Sequence, residues 1–114
     1  MISQQSPEHQ QPIFTALADP IRRSLLVNLA EYSPRTATQL AQEYPITRQG
    51  ILKHLNILEG AGLVKIQQKG RDKGYIFTPE PLNELESWLQ EINTVWAGNL
   101  SRLKAMLESE TPEE

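Results

Sequence analysis

The chain has 114 residues, 11 Lys or Arg against 14 Asp or Glu, a formal net charge of −3 and no cysteine. That length supports one domain with a modest core, and the missing thiols exclude disulfides, thiolate metal ligands and a redox thiol switch. No window approaches the ~18 consecutive apolar residues of a membrane span, so no membrane partner is expected.

The distribution of charge says more than its sum. Residues 1–78 hold nine Lys and Arg against six Asp and Glu, a net of +3, whereas residues 79–114 hold two against eight, a net of −6. Acid is gathered at the C-terminal end, so a low overall charge still allows a local basic footprint for nucleic acid.

Residues 1–11, MISQQSPEHQQ, are polar and Gln-rich and read as a flexible tail. They carry neither a basic n-region nor an apolar h-region, so a cytoplasmic location is expected. Ile13 to Ala18 reads as a short first helix with Ile13, Phe14 and Leu17 on its apolar side. Asp19 then caps a second helix whose first residue, Pro20, has no N–H to leave unsatisfied. Ile21, Leu25, Leu26 and Leu29 form its buried stripe. Arg22 and Arg23 are either phosphate contacts or ordinary surface arginines, solvated or paired to acids.

Ser33, Pro34 and Arg35 break the pattern. A short helix follows from Ala37 to Tyr44 behind a Thr36 cap; Pro45 ends it, and Thr47 opens the next helix. That helix runs from Arg48 to Ala61, with Gly62 placed to take positive φ at its end. At about 100° per residue, Ile51, Leu55 and Leu58 share one face, while Gln49, Lys53 and Asn56 cluster on the other. Every amphipathic surface helix has a polar face. Here, however, a second helix lies just upstream across a short turn, which makes a helix-turn-helix whose second helix enters a major groove. Amide and cationic side chains on that face are the ones that read base edges and bind phosphates.

Leu63 to Lys69 alternates as a strand, Gly70 to Gly74 (GRDKG) reads as a turn, and YIFTP returns as a second strand. This hairpin forms a wing whose tip carries Lys69, Arg71 and Lys73, within reach of phosphates or a minor groove. Hairpin tips are commonly charged in any case.

From residue 81 to 110 the pattern becomes one long helix, with Leu82, Leu85, Leu89, Ile92, Trp96, Leu100, Leu103 and Leu107 at intervals of 3 or 4. Some 27 residues at ~1.5 Å each span about 40 Å, more than a domain this small needs for its own core. Part of the stripe is therefore expected to meet another molecule, with Leu82, Leu85, Trp88, Leu89, Ile92, Trp96, Leu100 and Leu103 as interface residues. The tryptophans read as core or interface anchors.

Three blocks in order, ALADPIRRSLLVNL, TRQGILKHLNILEGAGLV and the Leu-rich terminal helix, resemble the ArsR-type winged helix-turn-helix transcriptional regulators over about residues 13–107. The resemblance implies a mainly α fold with a small β-hairpin wing and a long C-terminal dimerisation helix. It also implies repression by a homodimer on double-stranded DNA. The candidate DNA contacts are Thr47, Arg48, Gln49, Gly50, Lys53, His54 and Asn56 on the recognition helix and Lys69, Arg71 and Lys73 on the wing, and of these Arg48, Gln49 and Lys53 match the family pattern. At His54 two readings stand, a backbone contact or a structural histidine. At Leu52, where the family usually has a small hydroxyl residue, the side chain either meets a thymine methyl or covers the rim of the core.

Family members that sense metals use cysteines before the recognition helix, or Asp, His and Glu on the last helix. TATQLAQEY has no thiol and the last helix no histidine, so a metal-independent branch and no cofactor are expected, with any small-molecule effector unknown. No nucleophile with a base, paired buried carboxylates or phosphate-cradling loop suggests an enzyme. The expected domain map is residues 1–11 as tail, 12–80 as DNA-binding domain, 81–110 as dimerisation helix within the same domain, and 111–114 as tail. The competing reading is a winged helix that serves as a protein-interaction module and does not bind DNA.

Overall fold

Asp19 opens the helix on which the core is assembled: its carboxylate accepts the backbone N–H of Ile21 at 2.9 Å and of Arg22 at 3.1 Å. In a computed structural model, which describes residues 7–110, the elements are α1 (Pro7–Leu17), α2 (Pro20–Tyr32), β1 (Arg35–Thr36), α3 (Ala37–Ala41), α4 (Arg48–Gly60), β2 (Val64–Lys69), β3 (Asp72–Phe77) and α5 (Glu80–Glu110). The expected mainly helical fold with a small wing and a long last helix is what the chain adopts.

Leu25 and Leu29 of α2, Leu40 of α3, Ile51, Leu55 and Leu58 of α4, and Leu63 are all fully buried. Burying a side chain of this size stabilises by roughly 1.5–3 kcal/mol, so these seven hold the first three quarters of the chain together. Three sequence expectations need correction here.

First, the tail. Residues 1–6 and 111–114 lie outside the described residues, but residues 7–11, expected to be tail, are the first turns of α1. Pro12 inside α1 removes one helical hydrogen bond, which is why the pattern reads as starting after it. The helix continues regardless, because Gln10 is buried and His9 Nε2 lies 3.0 Å from Glu84 of α5. Tertiary contact outweighs the local penalty.

Second, the stretch read as a break contains β1. Arg35 pairs with Tyr75 and Thr36 with Gly74, giving an antiparallel sheet in the order β1-β3-β2. Thr36 also caps α3, accepting from Gln39 N at 3.1 Å while the Gln39 side chain accepts from Thr36 N. One residue thus joins the sheet to the helix-turn-helix. α3 stops at Ala41, short of Tyr44, where Gln42 N and Glu43 N bond back only three residues, to Gln39 O and Leu40 O, and tighten the last turn.

Third, the turn is tighter than expected. Lys69 pairs with Asp72, so only Gly70 and Arg71 lie outside the ladder. Gly70 has φ +60° and Arg71 does not have positive φ, the pattern of a two-residue II′ hairpin. Gly74 is then not a turn residue but part of the central strand. A Cβ there would sit 3.1 Å from Pro34 Cβ, so Gly74 lets β1 close over the sheet.

Where α4 ends, Gly62 takes φ +75°, Gly62 N donates to Glu59 O and Leu63 N donates to Leu58 O. This is a Schellman closure, with buried Leu63 and Leu58 as its apolar contact. Beyond Trp88, which still meets Phe14, α5 leaves the domain. Its 31 residues are about 46 Å long at 1.5 Å each. The molecule measures 76 × 32 × 21 Å with a radius of gyration of 20.7 Å, against roughly 13 Å for a compact chain of this size.

Candidate nucleic-acid interface

Thr47 anchors the start of α4, its hydroxyl accepting Gly50 N at 3.0 Å. With Ile51, Leu55 and Leu58 driven inward, Arg48, Gln49, Lys53 and Asn56 are left exposed. The wing stands beside this face. Between them runs a groove of about 690 Å³ lined by Arg48, Leu52 and Asn56 of α4, Arg71, Lys73 and Tyr75 of the wing, and Thr36 to Thr38 at the start of α3. Three of its side chains are cationic, and one carboxylate, Asp72, stands at the tip. Arg48 is not loose: its Nε donates to Thr38 Oγ1 at 3.1 Å, bracing the first turn of α4 against α3.

The ten positions assigned from sequence fall into five groups. Arg48, Asn56, Arg71 and Lys73 meet in the groove. Gln49 and Lys53 are exposed on α4 outside it, and Thr47 and Gly50 build the cap. Lys69 is apart from the other wing cations. With side chains alternating along a strand, it shares the opposite sheet face with Gln67, around a smaller depression that Pro34, Arg35 and Thr36 also line. His54 is half-buried; its Nδ1 lies 3.3 Å from Arg22 Nη1 and 4.0 Å from Asp19 Oδ2, which favours the structural reading. Leu52 packs against the core and also lines the groove.

Arg22 and Arg23 also have internal work. Arg22 donates to the carbonyls of Ala16 and Thr15, and Arg23 to that of Leu17. Both thus satisfy the last carbonyls of α1, at the negative end of its dipole. The backbone N–H of Arg22, the largest influence, holds the Asp19 carboxyl below its usual range. A second network joins α2, β1 and the turn after α3. Arg35 donates to Glu43 and to Asn28, whose amide donates in turn to Glu43. The bond from Arg35, chiefly, holds the Glu43 carboxyl below its ordinary value.

Sequence reasoning missed Thr36, Ala37 and Thr38 as groove residues. The signal was present, since the capping box fixes where α3 begins, but only the β1 pairing shows that this end faces the wing.

A family profile described as "Helix-turn-helix domain" matches residues 17–67, the span from the end of α1 into β2. The chain is 40% identical over 89 residues to an uncharacterized HTH-type transcriptional regulator, YuzN, of Bacillus subtilis, covering 72% of this chain and 97% of that one. It is 31% identical over 77 residues to the transcriptional repressor SdpR of the same organism, covering 68% and 84%. Among solved structures, an ArsR-like transcriptional regulator from Rhodococcus sp. RHA1 superposes with a TM-score of 0.84 at 31% identity, over 96% of this chain and 100% of that one. The chain belongs to the ArsR family of winged helix-turn-helix regulators. It is therefore a transcriptional regulator with a helix-turn-helix DNA-binding domain.

Within the ArsR family, α3 and α4 are the helix-turn-helix, and β2 and β3 the wing. Among the described residues, no three His, Cys, Asp or Glu side chains gather closely enough to hold a metal ion, and no helix is long and apolar enough to cross a membrane.

The expected interface on α5 divides in two. Leu82 packs against the domain core, Leu85 is half-buried, and Trp88 meets Phe14 of α1 edge to face at 5.5 Å. Leu89, Ile92, Trp96, Leu100 and Leu103 are exposed.

Proposed function

We propose that this ArsR-family protein is a repressor that binds an inverted-repeat operator as a homodimer. One observation carries the DNA reading: the exposed polar face of α4 and the cationic inner face of the wing border one groove, so a helix in the major groove and a hairpin on the flanking backbone engage together. Gln49, Lys53 and Asn56 supply base-edge donors and acceptors, with Arg48 beside them at the end of α4 nearest the turn. Arg71 and Lys73 take phosphates. The similarity to SdpR supports repression.

The exposed stripe on α5 supports the homodimer. Leu89, Ile92, Val95, Trp96, Leu100, Leu103, Met106 and Leu107 are each between 45% and 63% exposed along one helix, too much contiguous apolar surface for an isolated chain. Two-fold symmetry then requires half-sites about one helical turn, ~10 bp, or a small multiple apart. Occupying promoter DNA that polymerase needs is sufficient to repress, and no catalytic step is required.

The test is selection of bound fragments from random duplex DNA at about 0.1 M salt, where phosphate attraction alone does not dominate. Enrichment of an inverted repeat is the expected result. A folded dimer that enriches nothing would favour the interaction-module reading, in which α5 serves a partner and α4 reads no DNA.

A further inference from the structure

We infer that the groove between α4 and the wing seats one phosphate of the DNA backbone, held from its floor by the Tyr75 hydroxyl and from the α4 side by the guanidinium of Arg48, which Thr38 orients. This rests on the DNA reading above and adds to it a contact, Tyr75, and a positioning residue, Thr38, that stand outside the ten positions assigned from sequence.

Tyr75 divides its side chain between two surroundings. It is only 3% exposed and belongs to the core cluster with Leu29, Leu55 and Val64, yet it also lines the groove. A phenol held that deep ordinarily gives its O–H to a partner inside the protein. Among the described residues none takes it, although no side-chain nitrogen or oxygen there is sealed from solvent without a partner. The hydroxyl therefore opens to the surface, and the space it borders is the groove. Burial, first, pushes the Tyr75 hydroxyl above its usual pKa, with Glu59 adding to the rise and Arg48 opposing it. At neutral pH it is an uncharged O–H with a hydrogen to give.

The atoms around that opening suit an anion. By strand alternation Lys73 lies on the same sheet face as Tyr75, two residues nearer the tip. Arg48 faces them from α4. Its Nε is committed to Thr38 Oγ1 at 3.1 Å, while its two terminal nitrogens make no hydrogen bond to the described residues. The fork that remains is therefore the end-on pair, which matches two oxygens of one phosphate. The carboxylate at the tip does not spoil the seat. Asp72 alternates with Lys73 and Tyr75, so its side chain turns to the reverse sheet face, where it lines the depression beside Lys69.

A base edge is the other acceptor that DNA offers. Position decides against it: with α4 in a major groove and the wing on its flank, what passes between the two is a backbone strand. Gln49 and Lys53, on the reading face of α4, stand outside the groove, whereas Tyr75 forms its floor.

Tyr75→Phe removes one oxygen and leaves the ring in the core. In the full chain it should lower affinity about tenfold for the operator recovered by selection, and by the same factor for a short duplex of arbitrary sequence, with the urea midpoint unchanged. The slope of log affinity against log salt should stay as it is, because a neutral hydroxyl displaces no counterion. A loss confined to the operator would put the hydroxyl on a base edge, a loss matched by a fall in stability would make it structural, and unchanged affinity for both duplexes would remove it from the interface. Each of these overturns the phosphate seat while DNA binding stands; a wild-type chain that binds neither duplex would overturn the DNA reading itself. Neutral methylphosphonate linkages, placed one at a time along the operator, locate the phosphate: at one position in each half-site the wild-type chain should lose affinity and Tyr75→Phe should lose no more. Additive losses at every position would overturn the seat. For Thr38, Thr38→Val should weaken binding about fivefold, Thr38→Ser should restore it, and Thr38→Val should cost nothing further in the Arg48→Ala background. Additive losses there would overturn the positioning role.

Discussion

α4 and α5 are both amphipathic helices, yet they finish their packing in different places. α4, with 13 residues, buries three side chains completely and is closed by Thr47 at one end and Gly62 at the other. α5, with 31 residues, buries none of its described side chains fully and leaves most of its apolar face in solvent. The amphipathic pattern alone is therefore not what makes a helix part of a core. α4 is held by its own domain and is free to spend its other face on a ligand, whereas the projecting half of α5 has an apolar face that its own chain does not cover.

The difference can be broken from either side. Leu55→Ala removes a fully buried side chain from α4 and should cost about 2–5 kcal/mol, read as a fall in the urea midpoint at any protein concentration. Trp96→Glu, by contrast, should weaken self-association by about a hundredfold, ~3 kcal/mol, and leave the unfolding of the dilute winged domain almost unchanged. Equal loss of domain stability in both variants would remove the distinction.

Smaller changes sharpen it. Thr47→Ala, which deletes the cap, should cost ~1 kcal/mol and weaken DNA binding along with it. Gln49→Ala should leave stability alone and relax base preference by about 1–3 kcal/mol at one position of the operator. Within the wing, Lys73→Ala should lower the salt slope of binding by about one, while Lys69→Ala, on the reverse sheet face, should not. Equal slopes in the two wing variants would show that the faces do not divide the work.

Acid should act on the winged domain. Asp19 and Glu43 both have folded-state pKa values below their ordinary 3.8 and 4.5. Their contribution is therefore present above those values and is lost as pH falls below them. The thermal midpoint should drop as pH is lowered through that range, and the drop should be shallower in Glu43→Gln.

Most of this architecture was legible because its boundaries are written in single residues. Asp19 and Pro20, Thr36, Thr47 and Gly62 each mark an end that the structure keeps. The buried face of α4 was legible for the same local reason, a period of 3.6. What could not be read depends on partners distant in sequence. A two-residue strand has no period of its own, so β1 becomes visible only through its pairing with Tyr75 and Gly74. The start of α1 is concealed by Pro12 and rescued by contact with α5. Among candidate site residues, the α4 set followed from the helical wheel. The separation of Lys69 from Lys73 required the true turn, because moving the hairpin boundary decides which face each strand residue takes.

In the proposed homodimer, the length of α5 has a mechanical consequence. From Leu89 to Glu110 about 33 Å of helix projects past the domain as a lever: rotating two such rods by ~10° about a crossing near the middle of that stretch, ~16 Å from each domain, shifts each domain by roughly 3 Å, comparable to the ~3.4 Å rise of one base step. A modest torsion at the crossing would thus put the two reading heads out of phase with adjacent half-sites, with no rearrangement inside either head.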